Sequence, residues 1–308
     1  MKKEVIFSIS GLYRDDFRVT GYRFGHGKPS CCIIGAIRGD EVQQLYICGQ
    51  LVKALGELEK SGGIAEGNEI LVIPSMNSYS MNIGRRFWCL DNTDINRQFP
   101  GNADGETTER IAAAVFAEVS KYAFCVQFPS FYIPGVFTPH VRMMKTGSAN
   151  DELAELFGLP FVVHRQPTLM EKTTLNYSLK SHGIPAFSVY TETRDSIDDI
   201  SAEIGIEAVL RFLSKTGAIT SKVSEGARSR VLDESELVSV RSDDAGIFRE
   251  LVSVGSEVRE GDILARILHP YEGNVISELR SPADGTVFFA RHKSIICQHS
   301  LVFKIVRK

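Results

Sequence analysis

The chain has 308 residues, of which 43% are hydrophobic and 24% are charged, and its formal net charge at pH 7 is −3. This is the composition of an ordinary globular protein, and the length allows one large domain or two of moderate size. The small negative charge gives no general attraction to nucleic acid or to anionic membranes, and no apolar run reaches the ~18 residues of a membrane-spanning helix. We therefore expect neither nucleic acid nor a membrane as a partner.

The N-terminal segment and the cysteines indicate a cytoplasmic protein. Residues 1–4 lead into a strand-like segment and lack the apolar core of a signal peptide. The six cysteines lie mostly inside apolar runs and form no CxxC pair, as expected of buried, reduced thiols. A homo-oligomer is compatible with this composition, and the sequence identifies no protein partner.

Strand-like and helix-like segments alternate through the first 215 residues. This alternation predicts an α/β fold with a mixed, mostly parallel sheet and helices on both faces. The long segment 75–105 is polar and aromatic, holds the only tryptophan, and is predicted to be a functional loop rather than a disordered one. The predicted order is a hairpin over 5–24, strand 30–37, helix 42–59, strand 69–74, helix 107–121, strand 122–128, helix 153–159, strand 161–164, helix 173–182, strand 186–191 and helix 197–214.

The pattern changes after residue 222. Residues 224–229 are small and polar, and beyond residue 238 glycines interrupt short strands, which predicts an all-β module. The module resembles the barrel-sandwich (biotinyl/lipoyl-like) fold, whose carrier members bear a cofactor on a hairpin lysine. The corresponding hairpin position falls near Asn274 and holds no lysine, so neither biotin nor lipoate is expected. We predict domains over 1–225 and 235–308.

One short segment concentrates charge where an open α/β sheet places its chemistry. Residues 35–41 read Gly-Ala-Ile-Arg-Gly-Asp-Glu and join a buried strand to a helix through two glycines. Such strand-to-helix corners at the carboxyl end of a sheet are the usual place for ligands. Arg38, Asp40 and Glu41 are therefore the first candidates for a site.

Four segments together resemble the succinylglutamate desuccinylase/aspartoacylase family, which is related to the zinc carboxypeptidases. Residues 35–41 lie where that family has His-Gly-Asn/Asp-Glu, and residues 94–101 match its Asn-Arg-x-Phe-Pro-Gly loop. Residues 190–192 follow Ile-Pro-Ala at 184–186, as in the strand that delivers the family's catalytic glutamate. The C-terminal β module is common in its deacylase branch. The resemblance covers the whole chain and implies a zinc-carboxypeptidase-like α/β domain.

The resemblance also implies an activity and a set of site residues. In this family a zinc ion is held by a His and a Glu three residues apart and by a second His at a later strand end, leaving a place for water. Glu192 would be the general base, and Asn96 and Arg97 would hold a substrate carboxylate. The implied protein is a hydrolase, a deacylase that cleaves the amide of an N-acyl amino acid or a related carboxylate.

Two of the three zinc-ligand positions depart from the family pattern. Arg38 stands in place of the first histidine, and a guanidinium has no lone pair to give to a metal. Pro129 stands in place of the second, leaving Glu41 alone. We hypothesise that His140, downstream of Pro129, returns to the sheet edge and joins Glu41 as a metal ligand. The plainer interpretation is a histidine that caps a loop.

Each retained residue also has a structural interpretation. Arg38 either pairs with Glu41 or presents its charge to an anionic ligand beside Arg97. For Arg97 the alternative is an ion pair with Asp91 or Asp94, and for Glu192 a pair with Arg194. Two functional hypotheses follow. The narrowly preferred one is a deacylase with an altered metal site, and the alternative is a pseudoenzyme that binds a small anion through Arg38 and Arg97.

Overall fold

A computed structural model describes residues 1–11, 15–146, 150–191 and 196–308. In these ranges the α-helices are Val42–Lys60 (α1), Ser78–Met81 (α2), Thr107–Val119 (α3), Asp151–Glu155 (α4), Leu175–Ser181 (α5) and Asp199–Lys215 (α6), with 3₁₀ turns at Ile95–Arg97, Leu169–Thr173 and Glu234–Glu236. The strands are Lys2–Ile9 (β1), Phe17–Gly25 (β2), Gly27–Ala36 (β3), Gly67–Ser75 (β4), Phe124–Gln127 (β5), Gly135–Phe137 (β6), His140–Met144 (β7), Phe161–Arg165 (β8), Ala186–Tyr190 (β9), Arg230–Asp233 (β10), Leu237–Arg241 (β11), Gly246–Glu250 (β12), Glu257–Val258 (β13), Ile263–Leu268 (β14), Val275–Arg280 (β15), Gly285–Arg291 (β16), Ile295–Ile296 (β17) and Leu301–Arg307 (β18).

The largest sheet confirms the predicted mixed, mostly parallel α/β fold. In the described residues it has nine strands in the order β1-β2-β4-β3-β5-β9-β7-β8-β10. The central pairs β4–β3, β3–β5 and β5–β9 are parallel, while β1–β2, β2–β4 and β9–β7 are antiparallel. The carboxyl ends of β3, β5 and β9 therefore meet at one edge, where the candidate site lies.

Helices cover both faces of this sheet because its central strands are apolar on both sides. Along β3, Cys31 and Ile33 pack into the core on the face of α1 and α6, whereas Cys32 and Ile34 pack on the face of α3 and α5. Each fully buried Ile or Leu side chain contributes about 1.5–3 kcal/mol to folding. This continuous burial explains the unbroken apolar run of β3.

The predicted elements differ from the observed ones mainly near β7. The sequence pattern predicts no strand over residues 140–144, yet β7 lies between β9 and β8 in the sheet. The predicted helix 153–159 is shorter and ends at Glu155, and the predicted helix 173–182 is α5 preceded by a 3₁₀ turn. The polar residues His140 and Arg142 interrupt the apolar pattern of β7, and a buried strand is usually recognised in a sequence by its apolar side chains.

The loop 75–105 is anchored by aromatic packing. Trp88 is buried, with its ring 4.9 Å from that of Phe17 and 6.0 Å from that of Tyr79. Two short helical segments, α2 and Ile95–Arg97, interrupt the loop. This packing holds the residues from Asp94 to Arg97 beside the end of β3.

The C-terminal part forms two antiparallel sheets over a separate apolar core. One has the order β11-β18-β16-β13 with β6 added beside β16, and the other has the order β15-β14-β12-β17. β10 lies after residue 225 but completes the large sheet beside β8, while β6 leaves the first segment to pair with β16. We keep the division into 1–225 and 235–308, and the barrel-sandwich assignment, as proposals. In the part of the chain described, no helix is both long and apolar enough to cross a membrane.

Candidate anion-binding site

Glu41 lies at the corner between β3 and α1 and is almost completely buried, with 1% of its surface exposed. Its Oε2 accepts the backbone N–H groups of Ile37 and Arg38, at 2.9 and 3.0 Å. Its Oε1 accepts Arg38 Nη1 at 3.2 Å and the Ser130 hydroxyl at 2.6 Å. These four donors occupy the roughly four acceptor sites of a carboxylate, so Glu41 is saturated within the protein.

Arg38 is paired on both sides, by Glu41 and by Asp94. Its Nε donates to Asp94 Oδ1 at 3.0 Å and its Nη2 to Asp94 Oδ2 at 2.9 Å, a two-point contact. Burial alone would lower the pKa of Arg38, but the charges of Glu41 and Asp94 outweigh burial and raise it. The Arg38–Glu41 pair, one of the two interpretations of the sequence, is thus present. Asp94 binds Arg38 and not Arg97.

Asn96 and Arg97 lie next to this network in the 3₁₀ turn that follows Asp94. Asn96 is buried, and its Oδ1 accepts the backbone N–H of Leu175 at 3.2 Å. Arg97 is half-buried, and its Nη1 donates to the carbonyl of Asn96 at 3.0 Å. Burial and the nearby charge of Arg38 lower the pKa of Arg97. Among the described residues no carboxylate pairs with Arg97, which leaves its charge available to a ligand.

A pocket that is open to solvent lies beside this network. Among the described residues, its wall contains one carboxylate, Glu171, together with a polar set and five arginines. The polar residues include Asn96, Gln127, Ser130, Asn176 and Ser188, and the arginines are Arg38, Arg86, Arg97, Arg142 and Arg165. Arginines are therefore the most frequent charged side chains among the described residues of this wall.

Three of the five arginines are neutralised by carboxylates of the protein. Arg38 has two, as described above. Arg86 donates to Asp40 at 2.9 Å and to Ser130 at 3.2 Å, and Arg165 pairs with Glu171 at 2.6 Å and with Glu234. Within the described ranges, no carboxylate lies within ion-pair distance of Arg97 or of Arg142.

A second, more apolar pocket adjoins the first. The two share Pro129, Ser130, Phe131 and Tyr190 as lining residues. Ile133 and Phe137 add apolar surface, and His292 and Lys293 reach the second pocket from the C-terminal sheets. The cleft thus has a cationic half and an apolar half.

His140 lies at the start of β7 inside a cluster of aromatic rings, completely buried. Its ring is parallel to that of Tyr190 at 5.0 Å and lies 4.8 Å from that of Phe288. Its Nδ1 is 2.9 Å from the carbonyl of Thr138, and its Nε2 has no hydrogen-bond partner among the described residues. No contact among the described residues joins His140 to Glu41.

The residues at this corner do not fit the zinc ion that the resemblance implies. All acceptor sites of the Glu41 carboxylate are used by hydrogen bonds within the protein. Arg38 stands at the first ligand position, and its guanidinium has only N–H groups and no lone pair for a metal. Pro129 stands at the second, and its side chain has no atom that can bind a metal. Across residues 1–11, 15–146, 150–191 and 196–308, no three His, Cys, Asp or Glu side chains are grouped to hold a metal. The Glu41–His140 ligand pair stays a prediction that no contact supports. Glu192 and Arg194 lie outside the described residues.

His140 is expected to make the protein sensitive to acid. Burial, followed by the charge of Arg142, lowers the pKa of His140 from 6.5 to about 3. The unfolded chain takes up this proton near pH 6.5 and the folded chain does not, so stability falls as pH drops from about 6.5 towards 3, by at most about 5 kcal/mol. His140→Phe should flatten the fall in urea-denaturation free energy across this window.

The matched control is the exposed histidine variant His26→Gln, which should keep the wild-type pH profile. If His140→Phe loses stability with falling pH as steeply as wild type, His140 is not the group responsible.

Arg142, Arg165, Glu171 and Tyr190 are site residues that the sequence did not single out. Arg142 and Tyr190 come from adjacent antiparallel strands, and Glu171 from the 3₁₀ turn before α5. The only local signal is a charged residue inside the otherwise apolar Val-Arg-Met-Met run at 141–144. A buried arginine in a strand is unusual unless it is paired.

The fold of this chain, a mostly parallel α/β sheet with C-terminal antiparallel sheets, is similar to that of solved desuccinylase/aspartoacylase proteins. One such protein, from Rhodobacter sphaeroides, superposes with a TM-score of 0.78 and 19% identity, over 96% of this chain and 90% of that one. The product-bound ectoine utilization protein EutE (DoeB) from Ruegeria pomeroyi gives a TM-score of 0.78 and 18% identity, over the same shares.

Sequence comparison points to the same family. Residues 28–131 match the family model of the succinylglutamate desuccinylase/aspartoacylase catalytic domain. An N-alpha-acetyl-L-2,4-diaminobutyric acid deacetylase from Halomonas elongata is 32% identical over 94 residues, which is 30% of this chain and 25% of that protein. The match thus spans about a quarter of the curated relative. Both comparisons support a similarity to the succinylglutamate desuccinylase/aspartoacylase family, through residues 28–131 in sequence and through the fold.

Proposed function

We propose that this protein binds a small carboxylate of the N-acyl amino acid type in the arginine-lined pocket, without zinc-assisted hydrolysis. The observation that carries the proposal is the state of Arg97, half-buried at the pocket wall with no carboxylate partner in the described residues. A planar guanidinium binds a carboxylate through two parallel hydrogen bonds, which lysine cannot reproduce. Arg97 therefore marks the carboxylate position, beside Asn96.

Arg38 has a different role in this proposal from the one expected of a ligand-binding arginine. Its charge is balanced by Glu41 and Asp94, so it contributes little net attraction to an anion. It holds the 3₁₀ turn of Asn96 and Arg97 against the end of β3. We propose Arg38 as a structural cation that fixes the geometry of the site.

The N-acyl part of the ligand class rests on two supports. The curated relative is named a deacetylase of an N-acetylated amino acid. The adjoining apolar pocket, with Phe131, Ile133 and Phe137, offers a place for an acyl group next to the cationic half. The ligand would then lie across Pro129 and Ser130, which both pockets share.

The saturation of Glu41 supports binding without metal-assisted hydrolysis. A fixed cation such as Arg38 can stabilise an oxyanion, but it does not lower the pKa of a bound water as zinc does. Without that acidified water, a general base alone has a poor nucleophile to activate.

A deacylase-type hydrolase is the second candidate, favoured by the match of residues 28–131 to a catalytic domain. Glu192 would take a proton from the attacking water and pass it to the leaving amine. For this candidate to bind a metal, Glu41 would have to give up some of the four hydrogen bonds that it now accepts.

The test uses the full chain purified without chelators or added metal. We expect less than about 0.1 metal ion per chain by elemental analysis and a melting temperature that zinc and EDTA leave unchanged. Calorimetry should show binding of N-acetylglutamate, and no glutamate should be released. Arg97→Gln should weaken that binding about tenfold or more, because a hydrogen bond to a charged group contributes about 1.5–3 kcal/mol. The control Arg249→Gln, an exposed arginine on β12, should bind as wild type does.

Stoichiometric metal together with release of the free amino acid would establish the hydrolase instead. Failure of every N-acetyl amino acid to bind would refute both candidates in their present form.

We also propose a cytoplasmic location. The cysteines in the described residues are free thiols, and burial raises the pKa of the Cys31, Cys32 and Cys48 thiols. Inert, reduced thiols of this kind are typical of a reducing compartment.

A further inference from the structure

Arg165 lies at the end of β8, where it connects the wall of the arginine-lined pocket to the C-terminal sheets. Its Nε donates to Glu171 Oε1 at 2.6 Å, and its Nη1 donates to Glu234. Glu234 in turn accepts Lys304 of β18 at 2.7 Å. The four side chains are only 11–19% exposed. Arg165 and Glu171 line the pocket and the other two do not, so Arg165 is anchored by groups that lie outside the pocket.

The 3₁₀ turn that carries Glu171 packs against the 3₁₀ turn that carries Arg97. The last residue of the first turn accepts the backbone N–H of Phe99 at 3.1 Å. None of the side chains in Leu169–Thr173 is buried. The turn therefore has no apolar anchor of its own, and its position depends on polar contacts. The ion pair between Glu171 and Arg165 is the contact that ties it to β8.

Glu171 is a carboxylate that could itself neutralise Arg97. Burial raises the pKa of Glu171, but hydrogen bonds within its turn and from Arg165 outweigh burial and lower it, so the group is charged at neutral pH. Burial and the charge of Arg38 lower the pKa of Arg97, whereas the charges of Asp94 and Glu171 oppose that change. Asp94 is held by Arg38 at two points.

The restraint on Glu171 is weaker than the restraint on Asp94. Among the described residues, Arg165 is the cation that bonds to Glu171. Without this bond, Glu171 and Arg97 would be a charged pair on one pocket wall. A partner within the same chain has a high effective concentration, so it competes strongly with a dissolved ligand for the same guanidinium.

We propose that Arg165 is a positioning residue that holds Glu171 away from Arg97 and so keeps Arg97 free for a ligand. This inference rests on the proposed binding of a carboxylate at Arg97. Glu234 and Lys304 fix Arg165 from the other side. The C-terminal sheets thereby contribute to the pocket through a chain of alternating charges, without contacting the ligand.

The test removes the restraint and then the competing carboxylate. In Arg165→Met, Glu171 loses its cation and pairs with Arg97, so the affinity for N-acetylglutamate, measured by calorimetry, should fall about tenfold or more. Arg165→Met combined with Glu171→Gln should bind within about threefold of wild type, because the competitor is gone. Arg165→Lys should bind nearly as wild type does, since the restraining charge remains.

The matched control is Arg23→Met. The side chain of Arg23 is 15% exposed and pairs with Glu4 at 2.9 Å and with Glu69 at 2.6 Å, but it does not line the pocket. This variant should melt at a lower temperature and keep the wild-type affinity. If Arg165 only stabilised the fold, adding Glu171→Gln to Arg165→Met would not restore the affinity.

The outcomes separate this inference from the proposed function. Unchanged binding by Arg165→Met overturns the restraint and leaves carboxylate binding at Arg97 standing. Weaker binding that Glu171→Gln does not rescue also overturns the restraint, because Arg165 then contacts the ligand or only supports the fold. Lack of binding by wild type overturns the proposed function and this inference with it.

The single variant Glu171→Gln decides the question if Arg165→Met does not fold. Arg165 keeps Glu234 as its partner in this variant. Binding at least as tight as that of wild type supports Glu171 as a competitor. Weaker binding would show that Glu171 helps to hold the ligand, and it would contradict the inference.

Discussion

Replacing Arg38 and Pro129 together by histidine is expected to create a site that holds one zinc ion per chain. Removing the Arg38 guanidinium frees Glu41 Oε1 from a 3.2 Å contact and releases Asp94 from its two-point contact. The new imidazole at position 38 could donate its second N–H to Asp94, the arrangement that orients many metal-bound histidines. Three ligands and an open position would then be present, as the family requires.

Elemental analysis after dialysis against zinc and then buffer measures this gain. The single variants Arg38→His and Pro129→His are the matched controls, and each should retain little metal because two ligands do not make a closed site. EDTA should lower the melting temperature of the double variant only. A folded double variant that stays metal-free would show that more than these two residues separates this chain from the zinc-binding pattern.

Glu41→Ala is expected to destabilise the protein by about 3–5 kcal/mol, the usual cost of removing one partner of a buried ion pair. The change strips Arg38 of one of its two carboxylates and leaves the backbone N–H groups of Ile37 and Arg38 without their acceptor. Urea denaturation followed by tryptophan fluorescence would measure this loss of unfolding free energy, since the buried Trp88 lies in the loop 75–105 that also holds Asp94.

The surface carboxylate Glu278 provides a matched control. It also contacts two arginines, Arg266 at 3.2 Å and Arg280 at 2.6 Å, but in an exposed strand pair. Glu278→Ala should therefore cost less than about 1 kcal/mol. A loss at Glu41 no larger than that at Glu278 would contradict the view that the Arg38 network holds the corner together.

A double variant distinguishes the pair from the individual residues. Arg38→Met combined with Glu41→Gln removes both charges and keeps an amide oxygen for the backbone N–H groups. Its stability should recover part of the loss seen in Glu41→Ala, because no unpaired charge remains at that contact. Asp94 would still lose its partner, so full recovery is not expected.

The sequence identified the corner of Arg38 and Glu41 correctly as a charged focus because both residues lie within one short segment. It could not choose between their pairing with each other and a ligand-facing Arg38. That choice depended on Asp94, 56 residues away along the chain, and on the Ser130 hydroxyl from the segment after β5. Long-range partners of this kind leave no trace in local spacing.

The family resemblance led to the fold, to Asn96 and Arg97, and to the anomaly at the zinc ligands. It did not lead to Arg142, because β7 carries no periodic apolar pattern and its position between β9 and β8 is a property of the assembled sheet. Only this pairing brings Arg142 over the ring of Tyr190, 48 residues further along the chain.

The amino-acid sequence by itself determined the α/β fold with its C-terminal β module and the absence of two zinc-ligand side chains, because apolar periodicity and residue chemistry are local properties. Tertiary structure alone decided which of the five pocket arginines are neutralised. Charge compensation depends on distances of a few ångströms between elements far apart in the chain, and here it leaves Arg97 and Arg142 without a carboxylate in the described residues.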